Sequence, residues 1–131
     1  MREEEGKEAI WACETINDAR KLLVECSNES AFVSLHTKEG AYQDVSDSFQ
    51  SITGYFLKGI EGESAYSYFH PDDVIEVLKS HASVTLNSDV SEVSIRFRKP
   101  NGSYVNLKSF SKQLQGEQNN GMIVVLSHII A

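Results

Sequence analysis

The order in which hydrophobic periodicity changes along this chain predicts an α+β fold: a five-stranded antiparallel sheet with helices on one face and a flanking helix at the N-terminus. Three observations carry that prediction. Apolar residues repeat at helical spacing up to Cys26, two short strand patterns follow from Ala31, and three alternating segments come after a helical middle. With 131 residues, 40% of them apolar, the chain can bury a single modest core and has no room for a second domain.

The segment from Arg2 to about Glu25 begins charged and then places Ala9, Ala12, Ile16, Ala19, Leu22, Leu23 and Cys26 on one stripe, the spacing of a single amphipathic helix. Such a stripe must dock, either on its own domain or against a second copy. For the second case the candidate interface is Trp11, Ile16, Ala19, Leu22 and Leu23, with Trp11 beside the stripe. Residues 1–28 are accordingly read as the flanking helix of a homodimer and 29–131 as the folded domain.

Ala31 to His36 and Ala41 to Val45 read as strands joined by the turn Thr37-Lys38-Glu39-Gly40, a hairpin. The middle, from Asp47 to about Leu86, is helical. Ser46-Asp47-Ser48 is N-cap chemistry ahead of Phe49 and Ile52, and Gly54 closes that short helix. His70-Pro71-Asp72-Asp73 opens the longest helix: Pro71 suits a first position that needs no amide donor, and the two aspartates sit at the positive end of the dipole. Val90 to Arg98 then alternates, the turn Pro100-Asn101-Gly102-Ser103 leads into Tyr104 to Leu114, and a polar loop at Gln115 to Asn120 precedes the β-branched run from Gly121 to Ile130.

A net charge of −7 and a pI near 5.0 argue against a nucleic-acid partner. The nearest basic cluster, Arg96 to Lys99 with Lys108 and Lys112, is spread over alternating strand positions. Cys13 and Cys26 lie about 20 Å apart on a straight helix and cannot pair there. Two free thiols in an acidic chain fit a reducing compartment, so a cytoplasmic location is expected. No apolar run reaches the ~20 residues of a membrane span, and no membrane contact is expected of this domain.

Set in this order, the strand end Asp44-Val45-Ser46, the turn Ile52-Thr53-Gly54-Tyr55, Gly62 before Tyr66-Ser67-Tyr68-Phe69, the helix start His70-Pro71-Asp72-Asp73 and the hairpin Asn101-Gly102 resemble the PAS family of sensory and interaction domains over roughly Glu29 to Ile130. The resemblance implies a small pocket between the sheet and the helices, and an N-terminal helix that often mediates dimerisation. It also implies an effector domain in the same parent protein, with a bacterial histidine kinase or cyclic-dinucleotide enzyme as the expected parent. A dimerisation module of a transcription regulator is the alternative. Members often end the last strand in an Asp-Ile-Thr junction, whereas this chain ends Ser127-His128-Ile129-Ile130-Ala131, so no signal-transmitting residue is assigned there.

Catalysis has no foothold in the sequence. Asp72 and Asp73 are accounted for as capping charges, and His36, His70, His81 and His128 have no metal-ligand spacing. Flavin-adduct photochemistry in this family needs a cysteine in the helical middle, and residues 46 to 89 hold none; non-covalent flavin stays open. His81 shares the predicted face of Val74 and Leu78 and should point inward. It would either satisfy a backbone carbonyl at the pocket edge or, as in haem-binding members, ligate iron. The expected lining is Phe49, Ile52, Tyr55, Tyr68, Val74, Leu78, His81, Ile95, Phe97, Leu107, Val124 and Leu126. A filled core and an open ligand pocket would share most of that composition. Ser94, Ser109 and Ser111 are expected on the opposite strand face.

Overall fold

In a computed structural model, which describes residues 2–26, 28–87, 90–116 and 121–130, the sheet has five antiparallel strands. They are β1 (Ala31–His36), β2 (Tyr42–Val45), β3 (Ser91–Arg98), β4 (Tyr104–Gln113) and β5 (Ile123–Ile129), in the order β2-β1-β5-β4-β3. The first and last strands in sequence therefore meet at its centre, with Val33 opposite Leu126. Most of the polar loop expected at Gln115 to Asn120 lies outside the described residues. No described helix is long and apolar enough to cross a membrane.

The N-terminal segment is two helices, not one: α1 (Glu3–Ala12) and α2 (Ile16–Glu25). Thr15 breaks the run by capping α2. Its hydroxyl accepts from the Asp18 amide at 3.3 Å, while the Asp18 carboxylate accepts from the Thr15 amide at 3.0 Å and the Glu14 amide at 2.9 Å. Those amide donors, Glu14 first, hold the Asp18 carboxyl below its usual range. A second capping group would be wasted in one continuous helix, so Thr15-x-x-Asp18 is the local signal that the periodicity concealed.

Both helices dock on their own sheet, against the face turned away from the helical middle. Ile10, Cys13, Ala19, Leu23 and Cys26 are buried with Ala31, Val33, Leu35, Phe110, Leu114, Val124 and Leu126 in one cluster, and Ile16 and Leu22 pack against it. Of the expected dimer interface, then, Ala19 and Leu23 are consumed inside the domain and only Trp11 is largely exposed, at 59%. Two lysines of β4 hold the ends of α1. Lys108 pairs with Glu3 at 3.6 Å, and Lys112 donates to the Trp11 carbonyl at 2.7 Å, a cation on the negative end of the helix dipole. Four strand residues and eight helical ones both span about 12–14 Å, so α1 runs along β4. The approach is close: a Cβ on Gly6 would stand 2.2 Å from His128 Nε2 and 2.7 Å from Leu126 Cδ2. That Nε2 is the one shielded side-chain nitrogen or oxygen without a partner among the described residues.

The other face carries α3 (Ser48–Thr53), α4 (Leu57–Ile60), the 3₁₀ turns Ala65–Tyr68 and Pro71–Asp73, and α5 (Val74–Asn87). The Ser46-Asp47-Ser48 group does not cap α3. Ser46 Oγ accepts from the Val33 amide and Ser48 Oγ donates to the Ala31 carbonyl, so both serines fasten the helix start to β1. Gly54 does close α3, in the left-handed conformation. The 3₁₀ turn Pro71–Asp73 that leads into α5 is capped by His70, whose Nδ1 accepts from the Asp72 amide at 3.0 Å. Asp73, expected as a dipole charge, instead grips Arg96 of β3 through three hydrogen bonds of 2.8–3.0 Å, one of them from the backbone amide. Arg96 holds the Asp73 carboxyl below its ordinary range. This clamp, with the His70 amide on the Arg96 carbonyl, fixes α5 against the sheet edge.

Candidate functional site

Between the sheet and α5 lies a cavity of about 90 Å³. Its walls come from side chains that alternate inward along the strands: Phe32, Ser34 and His36 of β1; Val93, Ile95 and Phe97 of β3; Leu107, Ser109 and Ser111 of β4; Ile123, Val125 and Ser127 of β5. The α5 face that closes it is Val77, Ser80, His81 and Val84, spaced i, i+3, i+4 and i+7.

Four of the expected lining residues are there: His81, Ile95, Phe97 and Leu107. Phe49, Ile52, Tyr55 and Tyr68 occupy the same layer but fill it, packing edge-on and stacked against Phe32, Tyr42 and Phe97 with ring centroids 4.9–6.2 Å apart. Six residues lie elsewhere than expected. Val124 and Leu126 face α1 and α2, because β5 is apolar on both sides and its composition could not say which alternate set looks inward. Leu78 is 51% exposed and Val74 does not line the cavity, since α5 is rotated so that Ser80 meets Ser91 at 2.7 Å. Ser109 and Ser111 lie in the cavity wall beside Leu107, where strict alternation from Leu107 puts them; Ser94 is exposed on the other side, as expected. Ser34, His36, Tyr42, Tyr66 and Ser127 line the cavity without belonging to the expected lining, and the two-residue step from Phe32 to Ser34 to His36 is the signal that finds three of the wall groups.

Hydrogen bonds engage both ring nitrogens of each cavity histidine. His36 Nδ1 lies 3.3 Å from the Gly40 carbonyl, which can only accept, so Nδ1 carries the proton and Nε2 accepts from the Ser34 hydroxyl at 2.8 Å. Complete burial pushes this imidazole down to about 4. His81 Nε2 donates to the Lys38 carbonyl at 2.6 Å, and its Nδ1 takes the Tyr66 hydroxyl at 2.5 Å. This pins α5 to the β1–β2 turn at the cavity rim. Gly40 sits beneath at φ +96°, where a Cβ would press on the Tyr66 ring at 3.2 Å.

These contacts decide what chemistry the site can do. Ser34 and His36 have the spacing of a nucleophile and its base, but an imidazole held near 4 is a weak base, and a backbone carbonyl on Nδ1 supplies no negative charge to stabilise the imidazolium. Haem does not fit: both His81 nitrogens are spent on protein partners, and the chamber is small for a macrocycle or for a flavin ring. The cysteines, Cys13 and Cys26, are buried on the opposite side of the sheet. Among the described residues no group of three or more His, Cys, Asp or Glu is placed to hold a metal ion.

A family model described as the PAS fold matches residues 42–126. The chain is similar to Protein cycle of Drosophila melanogaster, 32% identical over 60% of this chain and 19% of that protein. It is also similar to basic helix-loop-helix ARNT-like protein 2 of Gallus gallus, 29% identical over 72% of this chain and 17% of that protein. The match thus spans under a fifth of the length of these relatives. Among solved structures, Drosophila melanogaster Cycle PAS-B with bound ethylene glycol superposes with a TM-score of 0.71, 24% identity, and coverage of 76% of this chain and 99% of that one. The PAS domain of an HTR-like protein from Haloarcula marismortui gives 0.69 at 15% identity, covering 87% and 91%. With the five-stranded order, the helical insertion and the cavity between them, these matches establish that the chain belongs to the PAS family.

Proposed function

We propose that this chain is the sensory module of a larger cytoplasmic signalling protein, in which a small molecule in the cavity alters how α1 and α2 sit on the far side of the sheet. One observation carries the reading. The same strands present cavity groups and helix-docking groups at alternate positions: Ser109 and Ser111 beside Lys108, Phe110 and Lys112 on β4, Ser127 between Leu126 and His128 on β5. A strand that shifts to accommodate an occupant therefore moves the anchors of α1, and a ligand with unequal affinity for the two arrangements sets their populations. The domain itself carries out no reaction and touches neither nucleic acid nor membrane. In this reading residues 1–28 are the transmitting layer and 29–131 the sensing unit, with the effector elsewhere in the parent protein.

The helix-loop-helix relatives favour a transcription regulator as the parent over the histidine kinase or cyclic-dinucleotide enzyme expected from the sequence. They also favour the second reading, a domain whose main task is to pair with another subunit. Its contact would use groups left exposed here, Trp11 and Val24 on the helical layer, and not the buried stripe through which a homodimer was expected.

Hydrogen exchange followed by mass spectrometry separates the readings. Saturating the cavity with benzene, an apolar filler, should change protection in residues 3–25, which no filler touches. Unchanged exchange there, with clear protection in β4 and β5, would show the sheet does not transmit and leave the pairing reading in possession.

A further inference from the structure

The polar groups of the cavity wall are unequally used. Ser34 and both histidines have committed partners, and Ser80 is paired with Ser91. Ser109 and Ser127 stand opposite one another on β4 and β5 with their hydroxyls 2.8 Å apart. One hydroxyl proton bridges that pair and the other is left over. Ser111, two residues along the same face, is 9% exposed and its hydroxyl makes no hydrogen bond among the described residues. Tyr42, 2% exposed at the cavity wall, is likewise without a hydroxyl partner among them. Yet neither oxygen is sealed off as His128 Nε2 is, so both open onto the chamber.

The wall contains no Asp, Glu, Lys or Arg. An ionised guest would be stripped of water with nothing of opposite charge to meet it. What the wall offers is hydroxyl groups, each able to donate and to accept, with Val77 and Val84 of α5 across from them and Val93 beside Ser109 on the sheet. Ser109 and Ser111 project from one strand face at a spacing of about 7 Å, so a compact molecule with hydrogen-bonding groups on adjacent atoms can reach the free proton of the serine pair and the Ser111 hydroxyl together.

We infer that the cavity is a binding site for a small uncharged molecule bearing two adjacent hydrogen-bonding groups, held by Ser111 and the Ser109–Ser127 pair with its apolar side against the valines of α5. The inference rests on the sensory reading and adds the chemistry of the occupant. It excludes carboxylates, amines and phosphates of the same size.

Amide-detected NMR titration of the chain tests it with three probes: butane-1,2-diol, its carboxylate counterpart 2-hydroxybutyrate, and benzene. The expected result is saturable shifts at Ser109, Ser111 and Ser127 with the diol, none with the carboxylate at equal concentration, and at least five-fold weaker diol binding in Ser111→Ala with benzene binding retained. Retained benzene binding also shows that the variant is folded. Benzene filling the cavity while the diol does not, the carboxylate binding as well as the diol, or Ser111→Ala binding the diol unchanged would each overturn the chemistry and leave a sensing cavity in place. Failure of all three probes would overturn both the chemistry and the sensory reading.

Discussion

On β5 the residues Ile123, Val125 and Ser127 look into a cavity, while Val124, Leu126 and His128 between them are packed under the N-terminal helices. The same division runs through β4, where Leu107, Ser109 and Ser111 border open space and Phe110 is fully enclosed. On the outer face, apolar side chains interdigitate and the closest approach leaves no room for a methyl group at Gly6. On the inner face, aromatic rings fill one end and hydroxyl groups line the vacant remainder. The close packing behind the strands leaves them backed on one side while the other side stays partly hollow. The contrast assigns stability to the α1 and α2 side and recognition to the α5 side.

The largest expected effect comes from emptying the filled side. Phe110→Ala should cost about 3–5 kcal/mol, measured by urea unfolding, because the ring is fully buried in the cluster that α1 and α2 form with the sheet, which can relax only in part. A cost below about 1 kcal/mol would mean that the outer layer is loosely packed and that the comparison fails.

Acid should act next, and through the hollow side. The unfolded His36 imidazole takes up its proton near 6.5, while the buried one resists protonation down to about 4. Stability is therefore unaffected by this group above pH 6.5, falls as the pH drops from 6.5 towards 4, and is lower by about 3 kcal/mol once both states are protonated. His128, also pushed down by burial, adds a loss of the same sign below pH 6.5. Asp73, held down by Arg96, contributes only at lower pH, where its stabilising charge is lost below about 3.8. Replacing His36 by Gln should flatten most of the slope between pH 6.5 and 4 in denaturation curves; a slope that persists in full would assign it elsewhere.

Gly6→Ala sharpens the comparison at its tightest point. The new methyl must displace the His128 ring or lift α1, an overpacking cost of about 1–3 kcal/mol. Trp11 is the single tryptophan, on α1, with Lys112 Nζ 5.3 Å from its ring, so its fluorescence reports the helix directly. An altered emission maximum at neutral pH with an intact far-ultraviolet spectrum is the expected outcome, and emission identical to the parent would show that the sheet accommodates the methyl without moving the helix.

These two faces were unequally legible in the sequence. Strand positions, the hairpin at Asn101-Gly102 and the left-handed Gly54 follow from local chemistry, and local chemistry is what a sequence carries most openly. The direction a strand faces is a tertiary property. In β3 the polar and apolar sets differ, so Ile95 and Phe97 are placed correctly; in β5 both sets are apolar, and Val124 and Leu126 are misplaced for want of any contrast. Along α5, hydrophobicity pointed to Leu78, whereas the inner face is set by where Ser80 and His81 find partners on Ser91 and Lys38. Sites lined by hydroxyls are hidden from a search for apolar faces, because the residues that make them useful are those a core would exclude.

The smallest effect has the opposite sign. Ser111→Val replaces a hydroxyl that has no protein partner among the described residues with a methyl group and adds another, both directed into the vacancy. It also places a β-branched residue in the middle of a strand, where such residues fit the pleated surface. Filling space and removing an unpaired polar group should together stabilise the chain by up to about 1 kcal/mol, an increase visible as a higher urea midpoint at unchanged slope. The same change on the outer face would be destabilising, since no space exists there to fill. A loss of stability in Ser111→Val would mean that its hydroxyl is satisfied by ordered water bound across the serine pair. The cavity would then be a hydrated site, from which an entering ligand must displace solvent before it can reach Ser109 and Ser127.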